Sequence, residues 1–314
     1  MADQFVDLSE NQARQLIDAQ ALYRAYRTAS SERLQTRGSM IWRELRGVRY
    51  LIRTSSTGSQ KVLGPFSQDT DAIFTRFHNR KEAAKIRYKA LSEKLLEQKK
   101  LNRVYRVGRA PNILIKILQT LEKFGIEEEF LVVGTHAMYA YESACGVQLL
   151  PANLATRDVD LLFDIRKRNA FEKKMRAQGK SLMTVLKDAD PTFKLDANQL
   201  YTATNNSGFE VDIIRRLAKD SDPHPYQMTA IPDDLWAVQV GSGEKMLSAR
   251  KFEQLIISTS GDMALMKTLH PLDFVSVKTV LSTLNERDPI KRIKDRLQAQ
   301  TVQTLWDQFL RHAS

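Results

Sequence analysis

A single cysteine, Cys145, among 314 residues excludes an intramolecular disulfide and a thiolate metal cluster. The five histidines show no ligand spacing, and His224 and His270 stand alone. No apolar run approaches the roughly 18 residues of a membrane span. The opening MADQFVD carries acid where a secretory leader carries positive charge, so a cytoplasmic protein without a membrane partner is expected. Low-complexity tracts and internal repeats are missing. Hydrophobic residues at 42% beside 27% charged residues exclude disorder on composition and predict a folded chain of one to three domains.

What is abundant is positive charge, and its distribution is uneven. Residues 1–110 hold 22 Lys and Arg against 11 Asp and Glu, whereas residues 111–314 hold 26 of each. The net charge of +11 is therefore entirely N-terminal. Such a surplus attracts polyanions, which makes a nucleic acid or other polyanionic acceptor the expected partner of this region; a solvated set of charged helices is the plainer alternative.

Periodicity divides the chain into three parts. Residues 1–110 read as a basic helical and β-hairpin domain: a helix over 8–35, a hairpin in MIWRELRGVRYLIRT, and a long charged helix over 69–105. Residues 111–222 alternate short strands and helices, with Pro111 opening a helix that Gly125 ends. Residues 223–314 read as a hairpin and two helices begun at Pro271 and Pro289, completing a cleft. The fold class expected is α+β, a mixed sheet flanked by helices with an N-terminal helical and hairpin domain and a C-terminal helical segment.

The chemistry gathers at ATRDVDLLFD. Seven acid-x-acid pairs occur against about four expected by chance, so the pattern alone carries no weight. Asp158 and Asp160 differ from the others because their neighbours are strand-forming and apolar. In a strand both carboxylates leave one face, about 7 Å apart, while Val159 and Leu161 leave the other. Two like charges on a half-buried sheet demand a proton or a cation. Oxygen ligands without histidine or cysteine suit Mg²⁺. A third acid is offered by GFEVDIIR, where Asp212 is embedded as Asp160 is and Glu210 stands at the strand entrance. Upstream, VVGTHAMYAYE supplies a buried strand, a Gly134-Thr135 turn and a helix N-terminus, a combination suited to phosphate, although taken alone it reads first as an ordinary strand-to-helix turn. His136, Tyr139 and Tyr141 read as local hydrogen-bonding and packing residues. Lys278 stands on an apolar helix, either as a phosphate contact or as a snorkelling lysine. Arg287, Lys291, Arg292 and Lys294 read chiefly as a solvated helix face, with the lining of an acceptor groove as the alternative.

Strand, Gly-Thr turn and helix, then Asp-Val-Asp on a strand, then a later Val-Asp-Ile strand, together resemble the DNA polymerase β type nucleotidyltransferase superfamily. More narrowly, VVGTHAMYAYESACGV, ATRDVDLLFD and HPLDFVSVKTVLS resemble a little-characterised bacterial family of nucleotidyltransferase-domain proteins with an N-terminal helical extension. The resemblance implies that Asp158 and Asp160 bridge two Mg²⁺ ions and that Asp212 holds the catalytic ion and accepts the nucleophile's proton. It further implies that Gly134 and Thr135 hold the triphosphate of an NTP, the donor substrate, with Lys278 as a further phosphate contact. Two positions depart from the pattern: Thr135 stands where glycine or serine is more frequent, and Arg157 where a small residue is, its cation either binding the nucleotide's phosphate or crowding the metal site. The activity implied is Mg²⁺-dependent transfer of an NMP from an NTP to an RNA, protein or small-molecule hydroxyl. Two alternatives are a nucleic-acid- or partner-binding protein on a degenerate nucleotidyltransferase scaffold and, further off, an Asp-x-Asp glycosyltransferase.

Overall fold

The computed structural model describes residues 5–154 and 156–311, so Met1 to Gln4 of the acidic opening lie outside the described residues. It contains two compact units, Ile17–Leu101 and the described residues of Met1–Leu16 with Asn102–Ser314. Among the described residues no helix is long and apolar enough to cross a membrane.

Helix α1 spans Glu10–Gln35. It is followed by three antiparallel strands, β1 (Ser39–Leu45), β2 (Val48–Thr54) and β3 (Gln60–Pro65), and by the long helix α2 (Gln68–Val104). Arg46 and Gly47 both take positive φ, 52° and 76°, the two-residue geometry that matches strand twist. The expected hairpin therefore forms, and a third strand joins it. β3 departs from the expected loop: its short run lies among turn-like residues, yet Val62 pairs with Ile52 and Lys61 with Arg53. Within this unit α1 meets α2 through Tyr26 and Tyr88, whose hydroxyls lie 3.2 Å apart.

The second unit carries the expected mixed fold. Helix α3 (Asn112–Phe124) buries Leu114, Ile115, Ile117 and Leu118 and ends, as expected, at Gly125, which is left-handed. Then come β4 (Phe130–Val133), α4 (Met138–Cys145), β5 (Asp158–Phe163), α5 (Arg168–Gln178) and α6 (Leu182–Ala189). They are followed by β6 (Thr202–Thr204), β7 (Glu210–Arg215), the hairpin β8 (Lys251–Ile257) and β9 (Met263–Leu269), and helices α7 (Pro271–Thr283) and α8 (Pro289–Leu305). The central sheet runs β4-β5-β7-β6, with Lys194–Leu195 beyond β6 and Val238–Gln239 beside β7. β5 is antiparallel to β4 and parallel to β7.

Alternation along β5 decides which face carries what. Val159, Leu161 and Phe163 join Val211 and Ile213 of β7 in a core roofed by α3, α5 and α6. Each is fully buried, contributing about 1.5–3 kcal/mol. Leu162 and Ile214 face a second core built with Met138, Tyr141, Phe274, Val277 and Val302 from α4, α7 and α8. Period two then puts Asp158, Asp160 and Asp212 on this same second face, at the strand ends.

Candidate functional site

The sheet register assembles the site. Asp212 stands opposite Asp160, and Glu210 opposite Asp158, in the parallel β5–β7 ladder. Neighbouring strands are separated by about 4.8 Å, so the two central carboxylates are side by side. On the other side of β5, Val133 of β4 pairs with Asp160, and Gly134 follows it immediately. The strand-borne acids and the turn, distant in sequence, thus share one end of one face.

Gly134 has φ +68°, and a Cβ built there would lie 2.3 Å from Asp160 Oδ2. Only glycine lets the turn close against the carboxylate without strain. Gly134–Ala137 forms a 3₁₀ turn leading into α4. Thr135 is buried, and its Oγ1 accepts from Gln298 Nε2 of α8 at 3.0 Å, which leaves the hydroxyl proton available to donate.

Each outer carboxylate is tied by a threonine. Thr156 donates to Asp158 Oδ1, and Thr202 of β6 donates to Asp212 Oδ1 at 2.6 Å. Among the described residues Asp160 has no such brace, and its pKa is pushed up to about 7, first by burial and then by Asp158 and Asp212; Lys278 and Lys291 oppose the rise. Asp212 also rises, chiefly through burial, with Thr202 and Lys291 pulling it back. The like charge packed here is the electrostatic reason for a cation.

Cations already approach from α8. Lys291 acts on both Asp160 and Asp212. Lys294 is lowered by burial while Asp158 draws it up. Lys291, Lys294 and Gln298 are spaced i, i+3, i+7, one helix face, and that face is turned toward the carboxylates. Lys291 is exposed and Lys294 half-buried, so the face expected to be solvated is the same one from which these two charges act on Asp158, Asp160 and Asp212. Their spacing was legible, but the rotation of α8 is set by Val302 and Leu305 entering the second core. Thr202 and Gln298 were likewise missed, since neither residue type signals a role until the β6–β7 register and the α8 contact exist.

Lys278 is buried in α7, where its Nζ donates to Asp295 Oδ1 at 2.8 Å; Arg287 Nε donates to Asp295 Oδ2 at 2.5 Å. It sits in an ion-paired network beside Asp160 rather than snorkelling to water. Arg157 is exposed, and its guanidinium lies by Gly208 in the turn entering β7. Glu210 is exposed at the strand entrance. His136 is 1% exposed and its Nδ1 lies 3.1 Å from the Asp158 carbonyl. The carbonyl can only accept, so Nδ1 carries the proton. Burial, aided by Lys294 and opposed by Asp158, lowers its pKa to about 4. Cys145 has its thiol pushed up to about 12 by burial, which fits no nucleophile.

Among the described residues no three carboxylate, imidazole or thiol groups already close around one point. The donor set is nonetheless all hard oxygen, crowded with like charge against a turn that lacks a Cβ, and this chemistry fits Mg²⁺.

Against known proteins, a family model described as nucleotidyltransferase matches residues 112–314 and so spans β4, β5, β7, α7 and α8 together. No significant match was found among curated proteins or among solved structures.

Proposed function

Because the chain belongs to this nucleotidyltransferase family, we propose that it moves a nucleoside monophosphate from an NTP to a hydroxyl acceptor and releases pyrophosphate. The acceptor oxygen bonds to the α-phosphorus as the bond to the β-phosphate oxygen breaks, and the acceptor's proton passes to Asp212. A carboxylate whose pKa burial has raised is suited to that proton. Asp158, Asp160 and Asp212 would hold two Mg²⁺ ions, whose chemistry when bound is to neutralise charge at the attacking and leaving oxygens. Gly134 leaves room for the triphosphate, and the Thr135 hydroxyl donates to it. Lys291, Lys294 and the Asp295-paired Lys278 balance its charge from α7 and α8, with Arg157 at the rim.

The observation that carries this reading is the Asp160–Asp212 register with Gly134 pressed against Asp160. The family match weighs against the glycosyltransferase alternative. The test offers each α-labelled NTP with Mg²⁺ and cell extract to the protein and follows label into RNA, protein and small molecules. Labelling that disappears in Asp158→Ala and Asp160→Ala supports transfer; turnover surviving both substitutions overturns it.

A further inference from the structure

The Ile17–Leu101 unit holds eighteen Lys and Arg against eight Asp and Glu, almost the whole excess charge of the chain. One place on it is built rather than merely basic. Ile73, Arg76, Phe77 and Arg80 fall at i, i+3, i+4 and i+7 of α2 and so share one face. With Gln35, Thr36 and Arg53 they line an open groove of about 270 Å³, and no carboxylate is among the lining residues. Arg76 and Arg80 lie one turn apart, a like-charge pair that repels unless an anion joins it.

Arg53 forms the floor. Its guanidinium carbon lies 4.4 Å from the Phe77 ring centroid. Nη1 donates to the carbonyls of Ser39 and Thr54 at 3.1 and 2.6 Å, and Nη2 to that of Arg37 at 2.6 Å. All three acceptors are neutral, so the guanidinium is fixed in place while its charge stays uncancelled. Gly38 makes this possible: it has φ +90°, and a Cβ there would lie 2.6 Å from Arg53 Nη1. A flat cation layered on an aromatic ring, flanked by two further guanidinium groups, suits a phosphodiester chain with an exposed base. An acidic protein surface would satisfy the charge and leave the flat layer unused, and a duplex keeps its base faces stacked inside.

We propose that this groove binds a single-stranded polynucleotide, Arg76 and Arg80 holding phosphates while a base stacks against the Arg53–Phe77 layer. The proposal does not depend on nucleotidyl transfer, and its test omits NTP and divalent ions, so the two readings fail separately. Full-length protein in EDTA is titrated into labelled, unstructured RNA or DNA of one sequence, about 20 nucleotides long, from about 50 to 200 mM salt, and followed by fluorescence anisotropy. Arg76→Glu with Arg80→Glu is expected to weaken binding at least about tenfold and to flatten the salt slope by about 1.4, or 0.7 per phosphate contact. Phe77→Ala is expected to weaken binding about fivefold or more with the slope unchanged. Lys173→Glu with Lys187→Glu makes the same charge change on the other unit and is expected to leave binding within about twofold. A preference for RNA or for DNA identifies the strand, and either supports the groove.

Melting curves check folding, and if the double glutamate variant melts early, Arg76→Gln with Arg80→Gln is measured in its place, with the same slope change expected. Three results overturn the proposal: wild-type protein binding neither strand at the lowest salt, the control variant losing as much affinity as the groove variant, or poly-glutamate competing as well as unlabelled RNA of equal charge.

Discussion

Asp212 stands beside Asp160 at matching positions of two parallel strands, and the same Asp160 carboxylate touches the space where a side chain at Gly134 would begin. Ladder hydrogen bonds therefore fix two acids and a phosphate-sized turn relative to one another, and each can be disturbed separately.

Gly134→Ala places a Cβ into that space and forces a left-handed alanine. The backbone conformation costs about 1–2 kcal/mol, and the carboxylate must move. A displacement near 1 Å at a reacting group lowers rate about 10²-fold. The expected outcome is a modest fall in melting temperature with a far larger loss of nucleotidyl transfer, measured on the same preparation.

Asp160 has a folded pKa of about 7, above its unfolded value near 3.8. Folded protein holds that proton more tightly, so the stability linked to it is complete below the unfolded pKa and is lost as pH rises through about 7. Asp160→Asn cannot ionise. In EDTA it is expected to melt higher than wild type at pH 8 and nearly equal to it at pH 4. Adding Mg²⁺ at pH 8 should raise the melting temperature of wild type and leave that of Asp160→Asn almost unchanged.

His136 works in the opposite direction. Its folded pKa near 4 lies below the ordinary 6.5, so stability is present above 6.5 and is lost as pH falls toward 4, by about 3 kcal/mol in all. His136→Gln is expected to flatten this part of the stability profile, read by denaturant melts at pH 7 and pH 4.5. Because Nδ1 meets the Asp158 backbone, the substitution should also reduce transfer at pH 7, where wild-type His136 is neutral.

Lys278 and Asp295 form a pair that is 8% and 2% exposed at the side chain. Removing one partner strands the other in the interior. Asp295→Leu is expected to cost about 3–5 kcal/mol, and Lys278→Met combined with Asp295→Leu much less. A double-mutant cycle in urea measures the difference. Arg287, also bound to Asp295, limits how far the double variant recovers.

Much of this arrangement was legible beforehand for a physical reason: strands have period two, so an acid inside an apolar alternation declares its face. That reasoning reached Asp158, Asp160 and Asp212, and Gly134 followed from a turn placed directly after a buried strand. It did not reach Lys291, Lys294 or Gln298, because a helix with charges on several faces does not reveal which one packs inward until its apolar residues find their core. Thr202 was hidden for a related reason, since a hydroxyl acquires its meaning from the strand across from it. β3 escaped because a strand of six residues that follows Gly-Ser and itself ends in Gly64-Pro65 looks locally like a loop, and only pairing with β2 overrides that preference.

The parallel pairing of β5 and β7 means that the backbone leaves the sheet after Phe163, travels back, and re-enters at Glu210 beside Asp158, where β5 began, pointing the same way. The spacing of the acids is thus indifferent to how long the detour is. Lengthening the exposed bend at 196–200 adds only a slowly growing closure entropy, so this excursion is where relatives of the chain can diversify in size and chemistry while the acids stay at the same separation.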